Sequence, residues 1–348
     1  MLSCMARVLL TGADGYIGVR LGDHLLRAGF DVVGLDSGFH RVGWLYASAD
    51  LRPAMLTKDI RHVELEDLAG FDAVVHLGEV SNDPVGELDE QVTYRINHQG
   101  TLRLAELAKA AGVERFVQMS SCSVYGVSGE RPTREGDPLE PLTAYARCKV
   151  LVEEAVGELA DDSFSPTFLR NATVYGASPR QRFDLVVNDL AATAFLYHEI
   201  RMTSDGTPWR PFVHLLDVAA AVSCVLDAPR ELVHGEIFNV GSSTSNYQIR
   251  QIAEIVGGLV PGCTLSFGDS SNDKRNYRID FSKIETSLPG FACQWDVERG
   301  VAELLEVFAR IGLDEPTYRW RGYTRLHQIR HLLDTAQIDD ELFWNTTA

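Results

Sequence analysis

Residues 7–18 read Arg7-Val8-Leu9-Leu10-Thr11-Gly12-Ala13-Asp14-Gly15-Tyr16-Ile17-Gly18, an apolar run that breaks into three glycines spaced three apart. The run Arg7–Leu10 is short, rich in Leu and Val, and stops at a turn signal, which predicts a strand buried on both faces. Gly12 permits the tight turn that follows, Gly15 lets the backbone approach a pyrophosphate, and Gly18 lets a helix pack closely on the strand. The helix beginning at Tyr16 and Ile17 presents unpaired N–H groups and the positive end of its dipole to an anion. The next strand, Val32–Leu35, ends at Asp36, 18 residues after Gly18. A carboxylate there accepts hydrogen bonds from an adenosine ribose diol. It repels a 2′-phosphate by about 4 kcal/mol at a separation of about 4 Å and an intermediate dielectric, so NAD is expected over NADP. Arg41 is the neighbouring cation that softens this preference. Asp59 and Ile60, after the following short strand, are expected at the adenine edge, the alternative for Asp59 being a surface residue at a strand end.

Further along, Ala73–Leu77 and Phe116–Met119 are again short buried-strand patterns, and helical patterns at Asp89–Ala111 and Thr143–Leu159 alternate with the strands. That alternation predicts an α/β fold, a Rossmann-like doubly wound parallel sheet. After about residue 170 it loosens, and Gly/Pro punctuation at 176–179, 206–211, 241–246 and 261–268 predicts a smaller, discontinuous C-terminal substrate-binding lobe. The expected division is an NAD-binding domain over 1–170, rejoined by about 211–242, a second lobe mainly over 171–325, and a helical tail over 326–348. The apolar residues of that tail, Leu332, Leu333, Leu342, Phe343 and Trp344, are expected to cap the fold or meet a partner subunit.

With 348 residues and 45% apolar content, the chain can bury one large core or two smaller ones. Its net charge of −17 repels nucleic-acid phosphates and anionic lipid, so neither nucleic acid nor membrane is an expected partner. The six cysteines, Cys4, Cys122, Cys148, Cys224, Cys263 and Cys293, form no CxxC pair and no zinc-like spacing, which predicts no metal and a reducing, cytoplasmic setting. The first apolar run is too short for a signal peptide or a membrane span. Met5 is an alternative start to Met1, since the first strand needs nothing before Ala6.

Tyr145-Ala146-Arg147-Cys148-Lys149 places a phenol and an ammonium at i and i+4 on one helix face. Bringing a tyrosine from its ordinary pKa near 10 towards 7 takes roughly 4 kcal/mol, which a lysine and the positive nicotinamide ring together can supply. Tyr145 then serves as a general base. Ser120-Ser121-Cys122-Ser123-Val124-Tyr125-Gly126 ends a predicted parallel strand, where open α/β sheets present their ligands.

Together the glycine turn, the strand end His76-Leu77, Asn97, the serine segment and the Tyr/Lys pair resemble the extended short-chain dehydrogenase/reductase family of NAD-dependent nucleotide-sugar epimerases and dehydratases. The resemblance spans about residues 6 to 310. It implies that Ser121 is the catalytic hydroxyl, that Lys149 contacts the nicotinamide ribose, and that Leu77, Asn97 and the loop after His76 line the nicotinamide end, with Ser81 facing the substrate. Arg170-Asn171-Ala172-Thr173-Val174-Tyr175-Gly176 resembles a family stretch lying under the sugar, which assigns Asn171 to the substrate. Asn188, Arg210 and Arg275 match positions that meet the nucleotide diphosphate in relatives, although Pro211 replaces an aspartate usual after the first arginine. His214 reads as structural. A homodimer through the two long helices is a further family expectation.

The resemblance also bears on chemistry. Dehydratases of the family carry Asp-Glu directly after the catalytic hydroxyl, where this chain has Cys122 and Ser123 as its only accessory candidates. The small, non-acidic set looks most like that of 4-epimerases, which predicts oxidation at C4, rotation of a 4-keto sugar, and re-reduction. A net keto-sugar reductase, a dehydratase and a non-catalytic NAD(H) sensor are the alternatives.

Overall fold

The computed structural model describes residues 6–345, apart from 49, 82, 87, 128, 130 and 271–274. Met1, Cys4 and Met5 lie outside the described residues. The chain lays down β1 (Arg7–Thr11), β2 (Asp31–Asp36), β3 (Ala54–Thr57), β4 (Ala73–His76), β5 (Arg115–Ser121) and β6 (Ser165–Asn171) as one sheet. The strands β7 (Thr173–Tyr175), β8 (Glu199–Arg201) and β9 (Trp209–His214) leave it, and β10 (Ile237–Val240) returns to its edge. The seven strands run in the order β10-β6-β5-β4-β1-β2-β3, every pair parallel. The predicted buried strands are therefore present, within a residue or two of their predicted ends. The order reverses between β1 and β4, and open α/β sheets take their ligands at such a switch point, outside the carboxyl ends of the strands.

Two buried clusters cover the two faces of this sheet. One joins Val8, Leu10, Leu21 and Leu25 to Val218, Val222 and Leu226 of the helix Leu215–Asp227. The other joins Leu9, Val74 and Phe116 to Leu104, Val152 and Val156. A third cluster, with Tyr175, Phe183, Val187, Ile252, Leu304 and Phe308, lies beside them around the small sheet β11-β9-β7, in which β11 is Asn246–Gln248. The last strand, β12 (Thr264–Ser266), pairs with β8. The part of 211–242 that rejoins the main sheet is narrower than the sequence predicts: β9 belongs to the small sheet, while the helix Leu215–Asp227 and β10 return. Pro211 leaves β9 intact, paired opposite Asn246.

The long helical pattern at Asp89–Ala111 is not one regular helix. It runs as Glu90–Thr93, a π-helical stretch Tyr94–Gly100, and Thr101–Ala110. Such wide turns mark functional sites more often than ordinary scaffold, and this one carries Asn97. The helix Ala144–Gly157 begins where predicted, with Thr143 Oγ1 accepting from Ala146 N–H at 3.2 Å as its N-cap.

The tail caps the fold beside β2. Trp344 Nε1 donates to the Ser37 carbonyl at 2.7 Å, Arg61 donates to the Glu341 carbonyl at 2.8 Å, and Leu332 and Leu342 are buried in the cluster that contains Leu35.

Candidate active site

The glycine cradle behaves as its spacing requires. Gly12 holds φ at +69°, and a Cβ added there would meet the Leu77 backbone at 2.8 Å; one added at Gly18 would meet the Gly12 carbonyl oxygen at 2.1 Å. Gly15 caps the helix Tyr16–Arg27 without any side-chain cap, which leaves the first N–H groups, at Tyr16 and Ile17, for an anionic ligand. Asp36 ends β2, its carboxylate accepting from Gly38 N–H at 2.7 Å and Asp14 N–H at 3.1 Å. Burial pushes its pKa up, those two N–H groups opposing. Arg41 leans over Gly38 and donates to Thr57 Oγ1 at 2.7 Å. A backbone cradle that no Cβ could enter, capless N–H groups and a carboxylate at the end of the second strand fit a dinucleotide.

Other expected cofactor residues are placed differently. The Asp59 carboxylate pairs with Arg61 at 2.7 Å and caps the turn Ile60–His62, which fixes its place just beyond β3. Ile60 is buried beneath Gly78 and Gly100. Asn97 gives both of its polar groups to Val80, accepting from its N–H and donating to its carbonyl, each at 2.8 Å. It braces the loop after β4. Leu77 stands at the mouth of the cradle, its N–H donating to Thr11 O at 3.2 Å, and Ser81 is exposed in the loop beyond.

At the carboxyl end of β5, Ser121 Oγ accepts from Ser123 N–H at 3.2 Å and starts the turn Cys122–Tyr125. Ser121 pairs in register with Asn171, whose Nδ2 donates to the Ser120 carbonyl at 3.2 Å. Two buried atoms there, Asn171 Oδ1 and Ser123 Oγ, have no hydrogen-bond partner among the described residues, a costly state that a polar ligand relieves. Cys122 turns the other way, its thiol donating to the Arg170 carbonyl at 3.1 Å, and burial pushes its pKa far above the ordinary thiol value.

Lys149 approaches the same strand end from the helix Ala144–Gly157, donating to the Met119 carbonyl, with its Nζ 5.5 Å from the Tyr145 ring centre. Its closest charge is Glu79, with Nζ 2.6 Å from Oε2, and both side chains are buried. Burial works against the ammonium, but Glu79 and then Tyr145 more than offset it, and the lysine stays charged. Sequence reasoning missed Glu79. The available signal was a carboxylate one glycine beyond the apolar strand end Val74-Val75-His76-Leu77.

The substrate side is partly as expected. Arg210 donates to the backbone carbonyl of Arg275 and lies over the Tyr277 ring at 5.1 Å, which ties β9 to the segment that carries the second arginine. Asn188 does not join them. It is fully buried, its Oδ1 accepting from Gly176 N–H at 3.1 Å and its Nδ2 donating to Tyr16 Oη and the Arg182 carbonyl. Its amide is spent tying the cradle helix to the segment after β7, which corrects its assignment to the diphosphate. That segment carries two arginines the sequence reading passed over: Arg180, paired with Asp14 at 2.7 Å, and Arg182, paired with Asp184 at 2.8 Å. His214 is structural, as expected, stacked on Trp295 with centroids 4.0 Å apart and bonded to Glu303 at 3.0 Å. Among the described residues no group of His, Cys, Asp or Glu could hold a metal ion.

A dinucleotide cradle facing a tyrosine, a lysine and a serine across one switch point defines a nucleotide-dependent enzyme of hydroxyl chemistry. The chain belongs to the NAD dependent epimerase/dehydratase family, whose model matches residues 8–241, and its cofactor is NAD. It is 29% identical to a UDP-glucose 4-epimerase of Mycolicibacterium smegmatis over 318 residues, 87% of this chain and 98% of that protein. Among solved structures it is similar to MoeE5 in complex with UDP-glucuronic acid and NAD, with 26% identity and a TM-score of 0.75 over 88% of this chain and 99% of that one. It is also similar to TunA, an NAD-dependent NDP-hexosamine 5,6-dehydratase, with 25% identity and a TM-score of 0.77 over 88% and 98%.

Proposed function

We propose that this protein is an NAD-dependent epimerase of a nucleotide-diphosphate sugar, inverting C4 through a transient 4-keto sugar with Tyr145 as general base. The observation that carries the reading is the turn Cys122–Tyr125. A dehydratase needs an acid and a base beside the catalytic hydroxyl, but here the first following position is a thiol sunk in the core and the second a serine. Tyr145 and Lys149 then have proton transfer as their task, and no group at that turn serves to expel water. The similarity to a UDP-glucose 4-epimerase supports the same reading.

Ser121 Oγ holds the C4 hydroxyl, and Tyr145 Oη removes its proton. Held by the Gly12, Gly15 and Gly18 cradle and Asp36, NAD would supply a reversible hydride acceptor beside C4. Lys149 holds the charge balance at the phenol, Asn171 Oδ1 accepts from a sugar hydroxyl, and Arg210 with Arg275 binds the diphosphate through charge-assisted bonds. Ser81 contributes from the rim. The chain acts as a cytoplasmic homodimer, checked by a gel-filtration mass of two chains. Among the described residues no helix is long and apolar enough to cross a membrane.

The test is a panel of nucleotide sugars incubated with the protein, following NADH absorbance and identifying products by NMR. A C4 isomer formed without net NADH change, and lost in Tyr145→Phe, is the expected result. Stoichiometric NADH change would make the protein a net reductase, and loss of water a dehydratase.

A further inference from the structure

Among the described residues, three buried cations on this side of the fold each have their own carboxylate. Lys149 has Glu79, Arg170 has Glu153 at 2.6 Å, and Arg182 has Asp184 at 2.8 Å. The remaining titratable groups facing Lys149 add no charge. His76, on β4, has its ring held between Thr11 and Thr101, and burial followed by Lys149 brings its pKa down to about 3. The Cys148 thiol is pushed up to about 12, by burial first. Glu153, one turn along the same helix, is consumed by Arg170 and Ser120.

Glu79 is also fixed. Its Oε1 accepts from Gln118 Nε2 at 2.7 Å, its own N–H donates to the Leu77 carbonyl at 2.9 Å, and its side chain is 2% exposed. A buried carboxylate held this firmly against the ammonium cancels most of the field that Lys149 would exert on a nearby phenol.

We propose that Glu79 is a positioning residue for the Tyr145–Lys149 pair. It pins the ammonium and weakens its pull on the phenol, so that Tyr145 ionises less readily until the oxidised nicotinamide adds positive charge. The inference rests on the reading of Tyr145 as base. It makes proton removal easier with the oxidised cofactor than without it, which suits an enzyme that must take the hydride and the proton together.

The sign is fixed by charge: a carboxylate disfavours the phenolate, so its removal lowers the tyrosine pKa. A unit charge about 6 Å away at an effective dielectric of about 20 moves a pKa by roughly two units. The experiment is a tyrosinate absorbance titration of cofactor-stripped protein, with Tyr145 identified as the step missing in Tyr145→Phe. Burial raises the hydroxyl pKa of Tyr16, Tyr125 and Tyr175, which keeps their steps apart.

In Glu79→Gln the Tyr145 step should fall by roughly one to two pH units, and Glu79→Asp should restore much of the wild-type value. In wild type, adding NAD should produce a comparable fall. An unmoved or raised step in a folded Glu79→Gln protein overturns the role of Glu79. Turnover persisting in Tyr145→Phe would instead sink the general-base reading beneath it, so the two failures are distinguishable.

Discussion

The helix Ala144–Gly157 carries one residue from each of two buried ion pairs, Lys149 with Glu79 and, one turn later, Glu153 with Arg170. They differ in how completely they are tied down. Arg170 engages Glu153 through Nε and Nη2 and turns Nη1 to Tyr125 Oη at 2.7 Å and the Glu135 carbonyl at 3.0 Å. Tyr125 Oη in turn donates to Asn239 Oδ1 at 2.7 Å, so one network joins β5, β6 and β10 to the helix. Lys149 is a point charge with two contacts, a carboxylate and a backbone carbonyl. A guanidinium fork bonded on several sides suits fixed architecture, and a compact ammonium suits a charge that acts on a neighbouring phenol.

Breaking each pair should expose this difference. Glu153→Gln leaves a buried guanidinium that cannot shed its proton and should cost about 3–5 kcal/mol of unfolding free energy. Glu79→Gln leaves a buried ammonium that keeps its bond to the Met119 carbonyl and its place beside the Tyr145 phenol, and should cost about half as much. Chemical denaturation of both variants decides the matter. Equal losses would mean that the lysine pair is as architectural as the arginine pair.

Tyr145→Phe sharpens the contrast from the catalytic side. Removing a general base should lower turnover by about 10²- to 10⁴-fold, while the melting temperature should fall far less than in Glu153→Gln, because no buried ion pair is broken. A large fall in melting temperature would place Tyr145 with the scaffold.

His76 lies between the two roles. Its pKa is depressed from 6.5 to about 3 by burial and then by Lys149. A base depressed in the folded state contributes stability that is present above pH 6.5 and lost as pH falls towards 3. Wild-type unfolding free energy should decline across that window, and His76→Gln should flatten the decline. An equally steep acid limb in the variant would assign it to the carboxylates instead.

The parts of the site that the sequence made legible are the local ones. The cradle could be read because Gly12, Gly15 and Gly18 answer to contacts within one strand–turn–helix unit, and Tyr145 with Lys149 because a helix sets their spacing. Glu79 could not, since its partner lies 70 residues on and an acid in a loop ordinarily reads as solvated. The π-helical stretch around Asn97 hid within a helical pattern that one wide turn barely disturbs. Asn188 shows a different failure. Its position matched a motif, but a motif gives the residue type without its hydrogen bonds, and all of these point inward.

Cys122 gives the smallest expected effect and the finest discrimination. It adjoins Ser121, yet the chain enters a tight turn there, so consecutive side chains diverge: Ser121 caps the turn while the Cys122 thiol enters the core beneath Arg170. A thiol whose pKa burial has raised this far offers no base and only a poor acid at neutral pH. Cys122→Ala should therefore change turnover less than about twofold and cost about 1 kcal/mol of stability through lost packing. Ser121→Ala, one residue away, should lower turnover by about 10²-fold or more, as expected for a hydroxyl that holds the reacting alcohol. A larger loss in Cys122→Ala than in Ser121→Ala would reverse the assignment and make the buried thiol, rather than the half-buried hydroxyl, the group that meets the sugar.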